Sequence, residues 1–285
     1  MNQLNLPVSA KLMRYWFAGK SNYSKTSEDR AAGIDQNGNP FTAEMINDDL
    51  ITLKWVRSYP RAEKIYKELL STAIFSPNAA NEIRKKLLAA FPAFLDPYTP
   101  LNCFSTTGQN LHSLHRDFQF QLSAVDSAVT DKAVLWVGDE TGGIKAPDDL
   151  TGALGSFAIY AAIGDIYISR VTNIACVDSV YIYARDSYSF LDNDESSSQY
   201  LGHWSTENVY LAPILKTSAK GAFSWINTPL TAIGRSIFEK GGVMYPVANK
   251  NFRDWREKHN QGGDFLIYTT PQLCRLQVPI SVSLR

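Results

Sequence analysis

The chain has 285 residues, of which 45% are hydrophobic and 20% charged, with 28 basic residues against 28 acidic ones. That length is ample for a sizeable core in one large domain or two modest ones. Zero net charge argues against a strongly basic nucleic-acid binder or an acidic solvated tail, and no window approaches the roughly 18 uninterrupted apolar residues of a membrane span.

The opening "MNQLNLPVSAKLMRYWFAGK" has no basic segment leading into a long apolar run, so it does not read as a secretory signal. After Pro7 it predicts a helix that gathers Leu12, Met13, Trp16 and Phe17 on one face, with Ser9 as N-cap and Gly19 as stop. "SNYSKTSEDRAAGIDQNGNP" is polar and turn-rich and reads as a loop. "TAEMINDDLITLKWVRSY" restarts helical spacing through Leu50, Leu53 and Val56. Pro60 opens the next helix, with Ile65, Tyr66, Leu69 and Leu70 on its apolar face, and Ser76-Pro77 starts another, "NAANEIRKKLLAAF". Aromatics at this spacing read as core and not as a ligand cradle.

Beyond Pro92, Pro97 and Pro100 the pattern changes from helical to alternating. "DFQFQLS" places Phe118, Phe120 and Leu122 on one strand face, "KAVLWVG" is a short apolar run and "DETGGIKAPDDLTGALG" reads as loop. "SFAIYAAIGDIYISRV" reads as two strands, a hairpin if Gly164-Asp165 is its turn. "DSVYIYARDSYSF" alternates Val180, Ile182 and Ala184 against Tyr181, Tyr183 and Arg185, while "GGDFLIYTT" and "LQVPISVSL" close the chain as strands. Helices first and strands second is an α+β plan: an N-terminal helical part packed on a mostly antiparallel β-sheet formed by the C-terminal half. With no internal repeat and no long linker, the expectation is a single compact unit over 1–285. Its mainly helical part is 1–105 and its mainly β part is 106–285, with a short helical interlude near 236–259.

Three scattered cysteines, Cys103, Cys176 and Cys274, lack CxxC spacing and read as small buried hydrophobes of a reducing cytoplasm, not a disulfide framework or zinc ribbon. A GxSxG elbow, a P-loop, HExxH and GxGxxG are all absent. His112 and His115 in "NLHSLHRDF" share a helical face that suits a metal, but no third ligand stands near them, so the expectation is no metal and no cofactor. In "DNDESS" the oxygen ligands of a calcium loop fit Asp192, Asp194 and Ser196. Ser197 then falls where glycine is needed and His203 where a bidentate glutamate belongs, so a solvated acidic loop is the better account.

The remaining candidate is the end of the strand before that loop. Asp186 is a potential base or nucleophile, Tyr188 shares its strand parity, and His203 returns after the loop as a proton shuttle. Arg253 and Arg256 are candidates for binding a phosphate or carboxylate. The competing reading is structural: Asp186 pairs with Arg185 or caps the turn, Tyr188, Phe190, Tyr200 and Trp204 pack a corner, and Gly262-Gly263-Asp264 is a turn needing positive φ.

Three blocks in order, "LPVSAKLMRYWFAG", "VYIYARDSYSF" with "SQYLGHWS", and "NFRDWREKHNQGGDFLIY", resemble an uncharacterised bacterial family, number 6402 among the domains of unknown function. The resemblance implies a bacterial effector or toxin linked to type VI secretion and interbacterial competition. It would fold in the producer's cytoplasm, be delivered into target cells by a contact-dependent system, and have a cognate immunity or secretion-apparatus partner. Asp186-Ser187-Tyr188 followed by His203 is also similar to the pattern of colicin M-like enzymes, which cleave the lipid-linked peptidoglycan precursor. Here Ser189 replaces the second aspartate of that pattern, Trp204 replaces its arginine, and the histidine comes later. The functional expectation is therefore a hydrolase acting on an envelope or other bacterial target. The alternative is a non-enzymatic binding module, an adaptor, cargo carrier or partner-neutralising protein, which the aromatic surplus suits.

Overall fold

A computed structural model describes residues 6–91, 100–126, 148–169, 171–192, 198–204, 209–210 and 245–285. In chain order its helices are α1 (Pro7–Ala18), α2 (Ser27–Ala32), α3 (Leu53–Arg57), α4 (Pro60–Ser71), α5 (Pro77–Ala90), α6 (Cys103–Thr106), α7 (Leu111–Phe118), α8 (Asp149–Leu154) and α9 (Asn249–His259). The strands are β1 (Ile46–Thr52), β2 (Leu101–Asn102), β3 (Gln119–Val125), β4 (Phe157–Ile163), β5 (Asp165–Ser169), β6 (Ile174–Tyr188), β7 (Tyr200–Trp204), β8 (Val209–Tyr210), β9 (Tyr245–Ala248), β10 (Phe265–Thr270) and β11 (Gln272–Ser283). The chain divides into two compact units: a smaller one of Met1–Asn22, Ala128–Ala153 and Phe190–Gly263, and a larger one of Tyr23–Ser127, Leu154–Ser189 and Asp264–Arg285.

The larger unit is built on β6, whose 15 residues are rich in β-branched and aromatic side chains. Along one edge of β6 run β4 and then β5; along the other run β10 and then β11, all antiparallel to it. β3 adds to β4, β2 to β5, and β1 lies parallel to β10. The sheet is thus mostly antiparallel. On the face of Val180, Ile182 and Ala184, the Tyr66 hydroxyl of α4 meets the Cys274 thiol at 3.5 Å, and Cys274 is registered opposite Val180. α7 covers the opposite face, because His115 reaches Tyr183. Consequently Ile182, Tyr183 and Ala184 are all buried, and alternation along β6 separates two covered faces rather than core from solvent.

The structure departs from the sequence expectation at several places. Ile46–Thr52 is a strand, not helix, because pairing with β10 outweighs the i, i+3, i+4 spacing. The loop read at 21–40 contains α2, capped by Thr26, whose hydroxyl accepts from the Asp29 amide at 3.0 Å, and stopped by Gly33 at φ +70°. The loop read at 139–155 ends in α8. Phe118 closes α7, and a register shift between Gln119 and Gln121 leaves Phe120 buried but Leu122 exposed. β4 and β5 do not pair with each other at Gly164-Asp165. Both pair with β6, and a Cβ on Gly164 would stand 2.8 Å from the Ser179 carbonyl oxygen. Of the interlude near 236–259, Tyr245–Ala248 is strand and Asn249–His259 helix, while 236–244 lies outside the described residues, as does "KAVLWVG". The helices opened at Pro60 and Pro77 and the two closing strands stand where they were expected.

The smaller unit is organised by Trp16, which is fully buried. Phe17, Phe190 and Phe252 meet its ring edge-on at 4.9–5.6 Å, and Trp255 lies at 6.0 Å. Gly262 passes over the indole with φ +94°; a Cβ there would fall 2.5 Å from a ring carbon. The amides of Gly262 and Gly263 donate to the carbonyls of Gly19 and Trp16 at 2.9 and 3.0 Å, joining the stop of α1 to the turn after α9. At its other end α1 is held by Asp149, whose carboxylate accepts from the Val8 amide (2.8 Å), the Ser9 amide (2.8 Å) and the Ser9 hydroxyl (2.7 Å). That supplies the helix start with the acceptor its own N-cap residue, Leu6, lacks. Gly262→Ala therefore combines a forbidden φ with a steric overlap and is expected to cost about 3 kcal/mol. Denaturant unfolding checks this, and an unchanged midpoint would contradict the packing described.

Candidate functional site

Successive side chains of a strand point to opposite faces, so the two faces of β6 near its end have to be taken separately. On one face, Asp186 and Tyr188 stand opposite Ile267 and Phe265 of β10. Tyr188 is buried and stacks on Phe265 with ring centroids 5.1 Å apart. Asp186 is half-buried. Loss of solvent pushes its carboxyl up to about 7, against smaller opposing pulls from the Ser187 amide, Arg185 and Arg30. Burial, and then the neighbouring Asp186, push the Tyr188 hydroxyl up as well. Among the described residues no ion pair includes Asp186. Arg185, its neighbour in sequence, points the other way.

The structure thus brings Asp186 and Tyr188 together on one sheet face. His203 belongs to the smaller unit, in β7, registered between Tyr210 of β8 and Pro246 of β9. Arg253 and Arg256, on α9 of that same unit, have internal partners. Arg253 pairs with Asp192 at 2.5 Å and donates to the Phe190 carbonyl at 2.9 Å; buried Arg256 donates to the Asn22 carbonyl at 3.0 Å. Asp192 also accepts from the Gln199 amide at 3.0 Å and from Asn249 at 2.7 Å. Although burial alone would raise its pKa, these donors and Arg253 together hold it below the usual carboxylate value.

The opposite face of β6 carries a polar cluster that no single stretch of sequence displays. Arg185 is only 8% exposed, and Tyr183 and Tyr268 are fully buried. The Arg185 Nε donates to the Tyr268 hydroxyl at 3.0 Å, and its Nη2 donates to the Ala31 carbonyl in the last turn of α2. His112 Nδ1 lies 2.9 Å from the Tyr268 hydroxyl, and His115 Nδ1 lies 2.9 Å from that of Tyr183. Tyr160 stacks on Tyr183 at 5.9 Å and meets His115 edge-on at 4.8 Å. A guanidinium can only donate, so Tyr268 accepts from Arg185. When neutral His112 carries its hydrogen on Nε2, Tyr268 gives its own proton to His112 Nδ1; in the other tautomer Nδ1–H donates to the Tyr268 oxygen. Burial, followed by the charge of Arg185, pushes His115 down to about 3 and His112 below its ordinary value. Both histidines are neutral bases at pH 7, each committed through Nδ1 to a different tyrosine. Among the described residues no group of three or more metal-ligating side chains has metal-binding geometry.

Sequence reading found His112 and His115 as a spaced pair but missed their tyrosine partners. The available signal was a tyrosine two residues before the strand arginine, Tyr183, and another, Tyr268, in a later apolar strand, which alternation alone assigns to solvent. Residues 1–284 match a protein family described as a family of unknown function, DUF6402. No curated protein matches the chain, and no solved structure matches it.

The His115 pKa of about 3 lies below the unfolded value near 6.5. Its contribution to stability is therefore complete above about 6.5 and is lost as pH falls toward about 3, at no more than about 1.4 kcal/mol per pH unit. Imidazole NMR should show His115 still neutral at about pH 5, whereas a midpoint near its ordinary value would contradict the buried arrangement.

Proposed function

The chain belongs to the DUF6402 family, and from that premise we propose that it is a bacterial effector linked to type VI secretion. In this reading it is a hydrolase acting on an envelope or other bacterial target, with Asp186 as its base or nucleophile. What carries the enzymatic reading is one arrangement: a carboxyl at a strand end, outside every described ion pair, on the same sheet face as a buried tyrosine. A structural aspartate at such a place would be expected to neutralise a cation or cap a turn. A carboxyl with a pKa of about 7 is near half-ionised at neutral pH, which matches the requirement of a group that takes a proton from water or a hydroxyl and later returns it. Tyr188, stacked on Phe265, keeps a rigid wall beside it. The link to interbacterial competition rests on the family resemblance and not on the site.

Expression of the chain in bacterial cytoplasm and, separately, in periplasm tests this reading. The native chain is expected to arrest growth in one compartment. Asp186→Asn, which keeps shape and removes the proton acceptor, should relieve the arrest with an activity loss of about 100-fold or more while the protein stays folded. Full toxicity in folded Asp186→Asn would remove Asp186 from any mechanism. Harmless expression of the native chain everywhere, with a stable complex to a co-encoded protein, would instead favour a binding module.

A further inference from the structure

We propose that the Arg185 face of β6 is a binding site for an oxyanion, a phosphate or carboxylate group, held by the Arg185 guanidinium, the Tyr160 hydroxyl and His112 Nε2–H. The first ground is an unmatched charge. Arg185 is 8% exposed, yet its hydrogen-bond partners are neutral oxygens, those of Tyr268 and the Ala31 carbonyl. Among the described residues it has no carboxylate in an ion pair. Burying a cation without an anion is costly, and the carbonyl end of α2 offsets only part of that cost.

The second ground is the direction of every hydrogen. Arginine donates and never accepts; its Nε and Nη2 are given to the Tyr268 hydroxyl and the Ala31 carbonyl, and among the described residues Nη1 makes no hydrogen bond. In the tautomer with its hydrogen on Nε2, His112 accepts from Tyr268 at Nδ1 and offers Nε2–H. A guanidinium with an uncommitted nitrogen and neighbouring N–H and O–H groups is the complement of an oxyanion. Access is the third ground: His112, His115 and Tyr160 are each partly exposed beside the nearly buried guanidinium. The site is separate from Asp186, which lies on the other face of β6, and it stands or falls independently of the hydrolase reading.

The test uses the full-length chain, titrated with sodium phosphate and, separately, with sodium acetate, against sodium chloride at equal ionic strength. Thermal unfolding and the imidazole NMR signal of His112 are followed. A saturable rise in Tm with a matching shift of His112 is expected for at least one anion: phosphate alone assigns a phosphate ligand, acetate alone a carboxylate. Tyr160→Phe, which keeps the ring, should weaken the apparent affinity about tenfold, and Arg185→Met should abolish the response. If Arg185→Met fails to fold, Tyr160→Phe decides alone. Asp186→Asn should respond as the native chain does. Responses to both anions no different from chloride, or an undiminished response in folded Tyr160→Phe, would overturn the site and leave Arg185 as a strut between β6, β10 and α2.

Discussion

Arg185 and Asp186 are adjacent in the chain, opposite in charge and turned away from one another. The pleat of β6 forces this: neighbouring side chains leave a strand on opposite faces, and here both faces are covered. The simplest neutralisation available to either group is thereby forbidden, and each must solve the problem of its charge alone. Arg185 does so with tyrosine hydroxyls and the carbonyl end of a helix. Asp186 does so by holding its proton more tightly. Both features on which a function can be argued follow from this single geometric separation.

The surrounding sheet makes the separation rigid. Two pairs of strands run end to end along the edges of β6, so the strand is bonded on both sides over nearly its whole length and cannot slip by one residue without exchanging its faces. The smaller unit is secured by another kind of contact, an indole under a glycine backbone. Trp16 and Gly262 belong to the first and last of the blocks through which the chain resembles its family. That pairing gives those blocks a mechanical reason to look alike that owes nothing to catalysis. Arg253 and Arg256 fit the same account, since both tie α9 to backbone within that unit.

Local chemistry was readable in the chain. Proline at a helix start predicts α4 and α5, and alternation predicts β6 and the closing strands, because those signals act within a few residues. β1 was misread because what makes it a strand is β10, more than 200 residues away, where Ile46 is registered with Leu266. Gly164 was misread because a glycine before an aspartate fits a turn as well as it fits a close approach to the Ser179 carbonyl. The site divides in the same way. Parity placed Tyr188 beside Asp186, whereas the cluster around Arg185 draws on α7, β4, β6 and β10, and only the register among them reveals that Tyr160, Tyr183 and Tyr268 share a face. Reading Arg185 as a neighbour of Asp186 in sequence also suggested a pair that the pleat does not allow.

The most direct measurement of this account is a side-chain carbon NMR titration of the Asp186 carboxyl in the native chain, repeated in Arg185→Met. A midpoint near 7, as burial dictates, that moves upward when the guanidinium is removed is what two separated charges require. A midpoint at or below the ordinary aspartate value would mean that Asp186 is paired or solvated after all, and the placement of the two charges on opposite covered faces of β6 would be wrong.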